Sequence, residues 1–199
     1  TPDAADDPKG EVWCWGKGAS GQLGNGNTES KNSAVKAAGP FGAAIGTPVN
    51  LGLGEQHSCA TNDEGTVYCW GRNSVGQLGD NTTSDSSTPV QVSLPSGRTA
   101  SSVSAGSEHA CAVLDDASLY CWGYNEYGQL GDGTTTNSSS PVQVSLPSGR
   151  TAVSVATGNY HTCAILDDDS LYCWGSNQWG SLGDGTTTNS STPVTVSLP

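Results

Sequence analysis

The triplet Cys-Trp-Gly begins at Cys14, Cys69, Cys121 and Cys173, so one anchor returns after 55, 52 and 52 residues. Longer strings travel with it. Val-Gln-Val-Ser-Leu-Pro-Ser-Gly-Arg-Thr-Ala runs from Val90 and again from Val142, and Pro-Val-Thr-Val-Ser-Leu-Pro closes the chain at the same phase. A period of this length marks a solenoid, a propeller or an array, in which each unit buries its apolar face against the next. The repeats are read as 10–58, 65–110, 117–162 and an incomplete 169–199, all within a single repeat domain covering 1–199.

Inside each repeat the apolar runs are short and are punctuated by some of the 27 Gly and 10 Pro, a pattern of strands and turns with very little helix. The stretch from Cys111 to Trp122 reads as a β-hairpin turning near Asp116. That register sets Cys111 opposite Cys121 and Val113 opposite Leu119, and puts Ala112, Leu114, Tyr120 and Trp122 on the other face. Both faces are apolar, as expected of a strand pair sandwiched between two neighbouring sheets. The same ten-residue offset joins Cys59 to Cys69 and Cys163 to Cys173. Opposed strand residues bring their Cβ atoms within reach of a disulfide, so three cross-strand disulfides are expected, and with them an oxidising, extracellular or cell-surface setting.

Charge narrows the partners. The formal net charge is −12, with 7 Lys plus Arg against 19 Asp plus Glu, which disfavours nucleic acid and anionic membrane surfaces and leaves a cationic partner open. No apolar run is long enough for a bilayer span, so no membrane insertion is expected. Without a signal sequence or any Met, the chain reads as a processed or excised piece of a longer precursor.

Some residues invite a chemical reading. His57, His109 and His161 each stand two before a Cys, on the same strand face, where His and two Cys offer three metal ligands. A structural zinc takes four, and no fourth recurs at a fixed place, so a hydrogen-bonded structural His is preferred and no metal or cofactor is expected. Asp167, Asp168 and Asp169 fall on a hairpin tip without the spacing of a calcium loop and read as a solvated turn. Cys14 lacks a partner, because Ala4 stands at the required offset. A lost upstream strand, a bond to another chain and a buried thiol are the three explanations.

Trp122, Gly123, Asn125, Gly128, Gln129, Leu130, Gly131, Pro141, Val142, Gly158 and His161 together resemble the repeat of the regulator of chromosome condensation family. Three copies carry the pattern at fixed spacing, and the likeness covers nearly all of the chain after Gly10. The first copy has Gly18 in place of the Asn, and the fourth has Ser181 in place of the Gln. The paired cysteines are similar to those of bacterial secreted members. The resemblance implies an all-β fold of β-propeller blades, each a four-stranded antiparallel sheet. Family rings usually close with about seven blades, whereas just under four periods here imply an open arc or part of a larger propeller or assembly.

A residue that recurs in every unit is explained most simply by packing between blades. Trp15, Trp70, Trp122 and Trp174 are therefore expected in the core, and Gly71, Gly123 and Gly175 at tight or unusual backbone positions. No nucleophile elbow, phosphate loop or zinc-protease motif is present, so no enzyme is expected. Recognition should use the positions where the units differ. These are Lys17, Arg72, Tyr124 and Ser176 just after each anchor, Ser74 with Val75, Glu126 with Tyr127 and Gln178 with Trp179 beyond them, and Tyr160. From these, Arg72, Tyr124, Glu126, Tyr127, Tyr160, Gln178 and Trp179 are the candidate binding residues, with packing of the rings on neighbouring loops as the alternative. Asn81, Asn137 and Asn189 begin Asn-x-Ser/Thr sequons and are candidate glycosylation sites.

Three functions follow. The first is a non-catalytic extracellular protein that assembles with copies of itself through unfinished blades at both ends, as open strand edges invite pairing. The second is a module that recognises or inhibits another protein through its variable loops. Guanine-nucleotide exchange, as in the nuclear family member, ranks third, because the disulfides and the lack of a basic arm count against it.

Overall fold

The computed structural model describes residues 10–39, 41 and 46–198. Strands alone form the regular structure of these residues, in chain-order antiparallel sheets. Blade 1 pairs β1 (Trp13–Gly16) with β2 (Lys31–Lys36). Blade 2 holds β3 (Pro48–Leu53), β4 (His57–Asn62), β5 (Val67–Gly71) and β6 (Ser86–Gln91). Blade 3 holds β7 (Ala100–Ala105), β8 (His109–Leu114), β9 (Leu119–Gly123) and β10 (Ser138–Gln143). Blade 4 holds β11 (Ala152–Thr157), β12 (His161–Leu166), β13 (Leu171–Gly175) and β14 (Ser190–Thr195).

Each central hairpin has the register its sequence demands. Cys111 lies opposite Cys121 and Val113 opposite Leu119, with the same pairing at Cys59 and Cys69 and at Cys163 and Cys173. All three cysteine pairs are disulfides. The tight turns are closed by Gly65, Ala117 and Asp169, each with positive φ at the equivalent position.

Blades stack face to face. The Cys59–Cys69 face of blade 2 meets Val103, Ala110, Ala112, Leu114 and Trp122 of blade 3 in one apolar cluster. The Cys111–Cys121 face of blade 3 meets Ala164, Leu166 and Trp174 of blade 4 in the next. A smaller cluster of Val12, Ala37, Ala60 and Trp70 joins blades 1 and 2, with Phe41 from the divergent connection packed edge-on against Trp70 and Tyr68.

Two expectations need correction. Trp15 is not core: it is 67% exposed, because no Gln-Leu-Gly loop among the described residues covers it as such loops cover Trp70, Trp122 and Trp174. Nor are both end blades unfinished, since blade 4 has all four strands. What blade 4 presents is an uncovered face, with Val153 and Ile165 exposed. Cys14 sits opposite Val35, the place that Cys69, Cys121 and Cys173 take opposite Val90, Val142 and Val194. It is a half-buried free thiol whose pKa is raised by burial. Ala4, its expected opposite number, lies outside the described residues.

Candidate functional site

The recurring residues are committed to the joints between blades. Trp70 Nε1 donates to the Gln22 carbonyl at 2.9 Å, and Trp122 and Trp174 donate to those of Gln77 and Gln129 at 3.0 Å. Gly24, Gly79 and Gly131 lie flat on these indoles, where a Cβ would fall within 2.6–2.8 Å of the ring. Glycine is required there because nothing larger leaves room for the Trp. Each Gln-Leu-Gly loop thus roofs the Trp of the following blade.

In the last three copies the Asn two residues after the anchor glycine organises that loop. Asn125 Nδ2 donates to the Thr134 carbonyl, the Thr134 hydroxyl and the Thr136 carbonyl at 3.1–3.2 Å, and its Oδ1 accepts from Leu130 N. Asn73 and Asn177 repeat the arrangement. Burying this amide satisfies loop carbonyls that would otherwise lose their hydrogen bonds. In the sequence this role shows only as the recurrence of Asn73, Asn125 and Asn177 in the last three copies.

The histidines form a column through the blades. His109 Nε2 donates to Thr162 Oγ1 at 2.9 Å, and that hydroxyl donates to the Gln129 carbonyl. Ser58 likewise donates to the Gln22 carbonyl. Ala110 holds the equivalent place in blade 3, and among the described residues neither ring nitrogen of His57 has a hydrogen-bond partner. The expected hydrogen-bonded His is therefore found at His109 and not at His57. Burial lowers the pKa of His57 to about 4 and that of His109 to about 3, the latter also through its neighbours His57 and His161. Because Cys59, Cys111 and Cys163 are disulfide-bonded, their thiolates are not available to the metal reading.

Outside the joints, loops from two blades meet at each junction on one face. The loop after each anchor is tied to the turn before its own blade's His: Arg72 N donates to the Gln56 carbonyl, Tyr124 N to that of Glu108 and Ser176 N to that of Tyr160. Side chains then cross to the next blade. Ser20 Oγ donates to Gln56 Oε1 at 3.0 Å, and Arg72 pairs with Glu108 at 3.4 Å. At the third junction Tyr124, Tyr127 and Tyr160 form an edge-to-face trio with centroids 5.5–6.0 Å apart. Tyr127 and Tyr160 are 38% and 37% exposed. Desolvation, and then the carboxylate of Glu126, raise the pKa of the Tyr124 hydroxyl.

Of the seven candidate binding residues, the structure thus gathers Tyr124, Glu126, Tyr127 and Tyr160, and sets Arg72 beside them in an ion pair. Gln178 and Trp179 stand one blade further on, with Trp179 85% exposed. Gln56 and Glu108 were missed, although each precedes an invariant His just as Tyr160 does.

The sequons have defined geometry. Asn137 and Asn189 accept hydrogen bonds through Oδ1 from Asn125 N and Asn177 N, a role taken by Asp85 in blade 2. Asn81 has φ +66° and donates from Nδ2 to Ser93 Oγ. The acidic hairpin tips of blades 3 and 4 are each partly balanced by one Arg. Arg98 pairs with Asp115 and Asp116, and Arg150 with Asp167 and Asp168.

The RCC1-like domain pattern matches residues 4–199. The chain belongs to the RCC1-like domain family. This RCC1-like chain is 37% identical over 176 residues to the ultraviolet-B receptor UVR8 of Arabidopsis thaliana, covering 88% of this chain and 39% of the receptor. It is 30% identical over 178 residues to the human E3 ubiquitin-protein ligase HERC2, covering 89% of this chain and 4% of the ligase. It therefore spans well under two thirds of either relative. Among solved structures, human WBSCR16 superposes with a TM-score of 0.86 at 24% identity, covering 96% of this chain and 49% of that one. Yeast RCC1 (Prp20), solved bound to Kap60, superposes with a TM-score of 0.63 at 20% identity, covering 96% and 58%. Both likenesses identify the propeller fold of the RCC1-like blades.

Proposed function

We propose that this RCC1-like chain is a non-catalytic scaffold for protein interaction in an extracellular or cell-surface setting, which engages its partner through the loop face. The observation that carries this reading is the division of labour between positions. Residues that recur are buried in inter-blade joints, whereas residues that vary are gathered on one face and include exposed aromatic rings. Rigid blades presenting varied aromatic loops are suited to hot-spot recognition. Three disulfides support the oxidising setting.

Panning a random peptide display library on the immobilised protein tests the binding reading. Enriched peptides should lose binding to a Tyr127→Ala/Trp179→Ala variant and keep it to Arg98→Ala/Arg150→Ala, which alters the hairpin tips. Peptides indifferent to the loop face would sink it. Treating intact source cells with protease tests the location, since removal of the protein from the outside is expected.

One observation favours self-assembly as a second reading. Among the described residues β1 pairs with β2 alone, beside a groove lined by Trp13, Trp15, Leu51 and Leu53, with Cys14 placed as the paired cysteines are. A strand pair of this repeat fits such a groove. Multimers that collapse on reduction, and are lost in Cys14→Ser, would support filling by another copy; a monodisperse single chain would reject it.

A further inference from the structure

A partner engaged through the loop face meets its most distinctive chemistry at the third junction. Resting on that reading, we propose that Tyr124, Tyr127 and Tyr160, with Glu126 beside them, form a recognition site for a cationic side chain, a Lys or Arg presented by a basic segment of a protein partner. Each of the three rings contacts the other two at interplanar angles of 62–77°. With centroids no more than 6.0 Å apart, the rings are close enough for one bound cation to meet more than one of them, since cation–π contact extends to about 6 Å from a centroid.

Charge favours the same occupant. Glu126 is exposed, two residues from Tyr124 and next to Tyr127, and no cation among the described residues pairs with it. The nearby Arg72 is held by Glu108 and does not cover the rings. The junction thus combines exposed aromatic surface with a carboxylate that no Lys or Arg among the described residues pairs, on a chain whose net charge of −12 draws basic partners from a distance. An anionic partner meets like charge here, and a purely apolar one leaves the Glu126 carboxylate to be desolvated without compensation.

The trio also differs from its sister junctions in a way that packing does not require. Ser20 with Gln56 and Arg72 with Glu108 close the same gap by a hydrogen bond and an ion pair. Two exposed rings and a partly buried third therefore exceed what the joint needs, and the excess faces solvent.

The test is titration of ring-labelled tyrosine resonances in the intact protein with three short peptides that differ only in a central Arg, its neutral isostere citrulline, or Leu. The expected result is perturbation of the Tyr124, Tyr127 and Tyr160 signals, with the Arg peptide binding roughly five-fold tighter than the citrulline peptide at low salt. The preference should shrink as salt rises. Glu126→Gln, which keeps all three rings, should lower the preference, and Tyr127→Leu, at an exposed position, should abolish it. Equal binding of all three peptides at the trio overturns the cation proposal and leaves the loop face standing as a binding surface. Perturbation confined to other parts of the molecule, or none at all, overturns the cation proposal, and together with loop-indifferent display peptides it overturns the binding reading as well.

Discussion

The junction of blades 2 and 3 and that of blades 3 and 4 share one skeleton and differ in what surrounds it. In both, a Gln carbonyl accepts from the next blade's Trp, and a glycine lies on the indole. At the His level, blade 3 has Ala110 where blade 4 has Thr162, so His109 reaches a hydroxyl while the nitrogens of His57 have no partner among the described residues. On the loop side, Arg72 and Glu108 form an ion pair where Tyr124, Tyr127 and Tyr160 form a ring cluster. Two joints built on the same skeleton therefore tolerate very different neighbours. The skeleton holds the blades together, and the surroundings are free to diverge toward recognition.

The largest effect should come from the skeleton. Trp122→Ala and Trp174→Ala should each destabilise the protein by about 3–5 kcal/mol, since both rings are fully buried. Urea denaturation measures this, and a large difference between the two variants would break the equivalence of the joints.

Acid should act next, through the histidines. Their folded pKa values of about 4 and about 3 lie below the 6.5 of a free imidazole, so the unfolded chain binds protons first as pH falls. The stabilisation is complete above pH 6.5 and is lost as pH drops toward those folded values, amounting to about 3 kcal/mol for His57. Melting at a series of pH values should show the decline, and His57→Gln should flatten part of it.

Ala110→Thr sharpens the comparison. It offers His57 the hydroxyl that Thr162 gives His109, and an added stability of about 1 kcal/mol is expected in chemical denaturation. A loss would show that blade 3 has closed around the alanine.

Arg150→Ala should do least. Its partners are solvent-facing carboxylates on a hairpin tip, so the melting midpoint should stay where it is.

Much of this was legible in the sequence, for a physical reason. A ten-residue offset around a short turn leaves one antiparallel register, so the cysteine pairs and the two faces of each hairpin followed directly. The repeat period then marked the Trp as joint residues. What it could not give was which Trp had a roof. Trp15 carries the same triplet as Trp122, and its exposure depends on a neighbouring loop rather than on its own repeat. Contacts across junctions were hidden in the same way. Tyr160 joins Tyr124 and Tyr127 from another blade, and Arg72 finds Glu108, at separations that no local pattern encodes. The His57–Ala110 mismatch needed the same cross-blade alignment, for each residue is unremarkable within its own strand.

The bond from Trp to the preceding Gln carbonyl has a direction, with a donor on one blade face and an acceptor on the other. Two like faces brought together would oppose donor to donor or acceptor to acceptor. No twofold axis can therefore pass through such a joint, and any contact that reuses it must repeat by translation and rotation in one sense. The orientation of a single indole N–H thus gives the whole stack a polarity, which every blade added to it must share.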